Sequence, residues 1–253
     1  MKKGFLRITA ILMIAVAFHV CKKSDDGNED TILTALLYVA DLSSGNCATI
    51  TKNSSTLYNV VLTSVPKGGC NQATLAGSDL AGRAALINAN FDAYSALATS
   101  LNCSVATTNL ITSAKNTAIA ANTQAAFDNL VATTKYVPIQ DLRVEGAPVV
   151  TKSAFGIALG LADSDVLSWK LLTVDQNKSA QNLINLRTFA AGAGDVACIN
   201  AITNKVDTDF KGFVGLDSSA TTKATISGVA QITCQYGTSA VVANKCATLN
   251  TEF

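Results

Sequence analysis

The sequence predicts a mainly α fold: a helical bundle-like domain that carries a small β-hairpin element and is stapled by disulfides. Three observations predict it. Apolar residues recur three and four apart through several Ala-, Thr- and Asn-rich segments, the period of one helix face. Two β-prone runs flank a polar turn between Cys47 and Cys70, as a hairpin would. Beyond Cys21 the chain holds an even set of six Cys among its total of seven. With 253 residues, 49% hydrophobic and 15% charged, there is apolar side chain enough for a real core and too little charge for a disordered chain. A formal net charge of +1 supplies no field for phosphate backbones, so no nucleic-acid partner is expected.

The elements follow in chain order. Thr31 to Asp41, with Ile32, Leu33, Leu36, Leu37 and Val39, reads as a short apolar helix. Ala48–Thr51 and Leu57–Thr63 form the hairpin around Lys52–Ser55, and Pro66 with Gly68 and Gly69 closes it as a loop. Ser78 or Asp79 caps the clearest helix, whose face carries Leu80, Ala84, Ile87, Phe91, Tyr94 and Ala98. Thr107–Ala121 and Thr123–Thr134 continue the helical pattern, and the small Ala114, Ala118 and Ala121 allow close helix approach. Pro138, Gly146 and Pro148 make Tyr136–Thr151 extended or loop. Gly156 and Gly160 lie in an apolar run of about nine residues, too short to span a bilayer, and suit close packing inside a core. Ser179–Ala191 and Asp195–Phe210 are helical, the second capped by Asp195 with Ile199, Ile202, Val206 and Phe210 on one stripe. From Ser218 onward the Thr- and Val-rich tail fits helix and strand equally.

The N-terminus has its own pattern. Lys2, Lys3 and Arg7 precede an apolar run from Ile8 to Val20, then Cys21, then the solvated stretch Lys22–Asp30. A basic start and an apolar stretch of this length are the parts of a secretory signal peptide. This layout, with Cys-Lys-Lys-Ser-Asp-Asp at its end, resembles bacterial lipoproteins, spirochaetal and in particular leptospiral ones, although Val20 and Phe18 stand where a small residue and Leu are usual. The resemblance implies that Cys21 is the lipidated first residue of the mature chain. The expected organisation is then a signal peptide over 1–20, a lipidated Cys with an acidic tether over 21–30, and a single mainly helical domain over 31–253. A second cut, after Ala17 in Ala15-Val16-Ala17, fits ordinary signal peptidase and would release a soluble chain.

Removal of residues 1–20 takes away Lys2, Lys3 and Arg7, leaving 16 basic against 18 acidic residues and a net charge of −2. It also removes His19, the only His, and with it any Ser-His-Asp or Cys-His mechanism. Lipidation of Cys21 takes the odd Cys. Cys47, Cys70, Cys103, Cys198, Cys234 and Cys246 then allow fifteen pairings. We expect Cys47–Cys70, Cys234–Cys246 and, by elimination, Cys103–Cys198; the alternative is six reduced Cys buried as small hydrophobes.

The motifs that carry chemistry mostly fail on context. Gly192-Ala193-Gly194-Asp195-Val196-Ala197 has dinucleotide-fingerprint spacing, but a helical pattern precedes it where a strand is needed. Asp207, Asp209 and Gly212 begin like a calcium loop, yet Lys211 and Ser218 occupy positions that need oxygen ligands and a bidentate Glu. Asp163-Ser164-Asp165 reads as a helix start. Ser64-Val65-Pro66-Lys67 has acyl-transferase spacing, but Pro66 opposes the required helix. Trp169, Tyr136 and Tyr236 are candidates for a cleft or, more commonly, core residues. No catalytic residue, metal ligand or cofactor is expected. The expectation is a membrane-anchored envelope lipoprotein, its partners a bilayer through the lipid and a protein at the cell surface, with an interaction, adhesion or structural role. A lipid-tethered, His-free enzyme or small-ligand binding protein is the alternative.

Overall fold

The hairpin forms where the β-branched runs stand. In a computed structural model that describes residues 45–250 and 253, β1 (Asn46–Lys52) and β2 (Tyr58–Ser64) pair antiparallel, with Thr49 opposite Val61. Ala48, Ile50, Val60 and Leu62 are buried on one face, the period-two pattern of a half-covered strand. The leader over 1–20, the cut after Ala17, Cys21 with its tether and the helix expected at Thr31–Asp41 all lie outside the described residues.

The hairpin does not stand alone. β3 (Thr134–Ile139) adds to β1 and β7 (Gln231–Tyr236) adds to β2, giving a four-stranded antiparallel sheet in the order β3-β1-β2-β7. Pro138 sits in edge strand β3, where a missing N–H is tolerated. The undecided tail thus contains a strand. A second, three-stranded parallel sheet joins β4 (Lys170–Leu171), β5 (Phe213–Val214) and β6 (Gly228–Val229) in the order β4-β6-β5.

The described residues also form nine α-helices: α1 (Gln72–Leu75), α2 (Leu80–Ser100), α3 (Val105–Ala121), α4 (Gln124–Thr133), α5 (Leu142–Lys152), α6 (Ala154–Ala158), α7 (Asp163–Ser168), α8 (Val174–Gly192) and α9 (Val196–Asp209). Short oxygen-bearing side chains of Asn, Asp, Ser and Thr satisfy first free N–H groups at most of their N-termini. Asp79 Oδ1 accepts from Gly82 N at 2.7 Å, and Thr173 and Gln176 form a reciprocal capping box at 3.0 and 3.2 Å. The expected stripe on α2 faces inward, but only Ala98 is fully buried; Phe91 and Tyr94 are half-buried and meet Phe189 of α8.

One reading is corrected. Residues expected to be extended or loop up to Thr151 are extended only as far as Ile139, and α5 follows with Pro148 inside it. Asp141 caps α5, accepting from Arg143 N at 2.9 Å. Gly146 is there for packing, since a Cβ would run into Ile232 of β7. The expected bundle-like arrangement is also narrower than the whole domain. α2, α3, α8 and α9 share one core of Ala98, Ile111, Leu183, Leu186, Ile202 and Phe210. The sheet, α5 and α7 share another, built from Ile50, Leu62, Leu142, Val166, Trp169 and Ile232.

Candidate functional site

The six Cys of the domain form three disulfides, in the pairs expected: Cys47–Cys70, Cys103–Cys198 and Cys234–Cys246. The first joins β1 to the loop after β2. The second joins the α2–α3 connection to the first turn of α9, across 95 residues of sequence. The third folds the tail back on β7 across 12 residues.

Carboxylates gather beside two of these staples. Asp195 caps α9 by accepting from Cys198 N at 3.1 Å, and its other oxygen accepts from Ser104 N at 2.6 Å and Thr107 Oγ1 at 2.8 Å. Ser104 is itself the cap of α3, so one carboxylate ties the starts of two helices together beside the disulfide. The Ser104 backbone N–H, with the Cys198 N–H and hydroxyl donors behind it, holds the Asp195 carboxyl down at about 2. Cys103, Asp195 and Cys198 bring three ligand-type atoms within 4.8 Å of one another, the one such group among the described residues. Both sulfurs are bonded to each other and the carboxylate already holds three donors, so in this state the cluster fastens helices rather than holding an ion.

Glu145 makes the second node. It is buried at 6% exposure on α5, and its carboxylate accepts from Thr248 N at 2.9 Å, Leu249 N at 3.3 Å and the Thr248 hydroxyl. The tail is thereby pinned along α5 just beyond Cys246. Asp217 does similar work in a loop, accepting from Gly212 N at 2.6 Å and from Ser219 N and Oγ at 2.8 and 2.7 Å. The Gly212 N–H, followed by the Ser219 donors, holds that carboxyl below its usual range.

The sequence motifs resolve in the same direction. Gly192 ends α8 and Gly194, with φ at +66°, turns the chain into α9, so a helix rather than a strand leads into the motif. In the calcium-like stretch, Asp207 accepts from Ser218 N and Oγ at 2.9 and 2.8 Å, so its first and twelfth positions bond to each other, while Asp209 pairs with Lys205 at 2.8 Å. Asp163 and Asp165 open α7, as their helix-start reading requires. Ser64 ends β2, and no helix brings Lys67 to it. Trp169 and Tyr236 are buried in the sheet core, and Tyr136 packs by Cys47 and Cys70, so the three do not line a common cleft.

Of two surface features, only the aromatic stack had no signal in the spacing of residues; the small Ala114, Ala118 and Ala121, expected to allow close helix approach, line an open groove instead. A groove of about 550 Å³ runs between α3 and α8, lined by Leu110, Ala114, Ala118, Ala121, Phe189 and Gly192. At the hairpin end of the sheet, Tyr58 and Tyr236, opposite each other in the β2–β7 register, stack at 4.7 Å, and Phe253 stacks on Tyr58 at 5.3 Å with Lys135 Nζ 4.7 Å from its ring centre. Among the described residues, no helix is long and apolar enough to cross a membrane. No protein-family model, curated protein or solved structure matches the chain.

Proposed function

We propose that the protein is a lipid-anchored component of a bacterial cell envelope, held through an acylated Cys21, and that its domain serves an interaction, adhesion or structural role rather than catalysis. Cysteine parity carries the reading. Three disulfides account for six of the seven Cys, and the one left over is Cys21, which follows a basic and apolar leader. Disulfide-rich domains belong to oxidising compartments, where an unmodified odd thiol is a liability and an acylated one is not. Two or more acyl chains, at about 0.8 kcal/mol per buried CH₂, make release from the bilayer negligible.

The commitments of the carboxylates support the non-catalytic part. Asp195, Glu145, Asp207 and Asp217 each spend both oxygens on backbone or hydroxyl donors that hold loops and helix ends. A general acid or base needs a carboxyl open to substrate. The α3–α8 groove supplies a surface of the kind an interaction role uses.

Intact mass of the protein purified from its own membranes tests the anchor. The expected mass is that of a chain beginning at Cys21 with acyl chains attached, and a Cys21→Ala variant is expected to leave the detergent phase. A lipid-free chain beginning at Phe18 would sink the proposal in favour of a secreted protein.

A further inference from the structure

The tail is fastened in stages, and the fastenings change character along it. Cys246 is bonded to Cys234, and Thr248 and Leu249 are held by the buried Glu145. Phe253 lies four residues beyond Leu249, and its ring is packed by face contacts. One face rests on Tyr58 with an interplanar angle of 22°, and the Lys135 ammonium sits over the ring. Tyr58 rests in turn on Tyr236, which is 4% exposed, at an interplanar angle of 12°. Tyr58 projects from β2, Tyr236 from β7 and Lys135 from β3, so the floor and the cation come from three strands of one sheet, while the ring they contact comes from Phe253, outside the sheet. Phe253 itself is half-buried.

A planar π-face and a cation are the two contacts that select an aromatic ring over a saturated one of equal size, each contributing about a factor of 2–10 to an equilibrium constant. We propose that Tyr58, Tyr236 and Lys135 frame a binding slot for an aromatic ring, that Phe253 fills it in cis, and that an aromatic side chain of a partner protein takes its place. Phe253 acts as a tethered competitor. A short tether presents it at an effective concentration of order millimolar or above, so a ligand in trans wins only when further contacts bring its own affinity past that threshold. The slot is independent of the lipid anchor, and its failure would leave the reading of Cys21 untouched.

The test compares the purified protein with Phe253→Ala, using N-acetylphenylalanine amide and its cyclohexylalanine analogue as probes and ligand-observed saturation-transfer NMR as readout. Mass under non-reducing conditions and circular dichroism confirm that the variant keeps three disulfides and its fold. Phe253→Ala is expected to bind the phenyl probe at least about tenfold more tightly than the unaltered protein. It is expected to bind the cyclohexyl analogue at least about threefold more weakly than the phenyl probe. Adding Tyr58→Leu should abolish the preference for the phenyl ring. Equal binding by the unaltered protein and Phe253→Ala, no binding by folded Phe253→Ala, or equal affinity for the two probes would each overturn the proposal.

Discussion

The helix cluster and the sheet end of the domain are fastened with the same two parts, a disulfide and a carboxylate, used in opposite proportion. At the helix cluster the disulfide spans 95 residues and the carboxylate, Asp195, is partly exposed. Where the tail meets the sheet, the disulfide Cys234–Cys246 spans only 12 residues and the carboxylate, Glu145, is buried. A cross-link withdraws more freedom from the unfolded chain when it closes a longer loop. A hydrogen-bonded carboxylate matters more when its donors cannot turn to water instead. The staple therefore does most of the holding among the helices, and the carboxylate takes a larger share at the tail.

The sharpest way to break this contrast is to remove each staple in turn. Loop-closure entropy gives about 5 kcal/mol for Cys103–Cys198 and about 3 kcal/mol for Cys234–Cys246. The Cys103→Ala/Cys198→Ala protein is therefore expected to lose about 2 kcal/mol more than Cys234→Ala/Cys246→Ala in denaturant unfolding. Equal losses would mean that loop length is not what separates the two regions. The next effect belongs to the tail. Glu145→Ala strands the buried Leu249 N–H and the part-buried N–H and hydroxyl of Thr248, at a cost of roughly 2 kcal/mol. Hydrogen exchange should then rise at Thr248 and Leu249 before it rises in α8 or α9. Unchanged exchange at those two amides would remove Glu145 as the fastening.

The contrast also separates what the sequence could show from what it could not. α2 and α9 were legible because each announces itself locally, by a capping side chain and an apolar stripe, and Asp195 was visible as a cap from its place ahead of Val196; α3 and α8 were legible as helices but without their caps Ser104 and Thr173. Its second duty, on Ser104 and Thr107, depends on a contact 91 and 88 residues away and left no trace in spacing. Around α5 the local signal misled. Pro148 and Gly146 argue against a helix one residue at a time, whereas Asp141 caps it and β7 demands a glycine at the crossing. β7 itself pairs with a strand more than 160 residues earlier, and its Thr-rich stretch carries no mark of that partner. The same non-locality hid the Tyr58–Tyr236–Phe253 stack, whose members come from separate parts of the chain.

The smallest expected effect concerns acid. Because its donors hold Asp195 at about 2 rather than the ordinary 3.8, the folded state favours the charged form. The stability this contributes is fully present above the unfolded value and is lost as pH falls from about 4 through about 2. Asp141, Asp165 and Asp217 are also held low, so the unaltered protein weakens in acid for several reasons at once. Asp195→Asn isolates one of them, since Asn still caps α9 but does not titrate. The difference in melting temperature between the two proteins should be constant above about pH 5 and shrink steadily below pH 4. A difference that stays constant down to pH 2 would show that the charge on Asp195 contributes nothing, and that its geometry as a cap beside Cys198 is all the helix cluster uses.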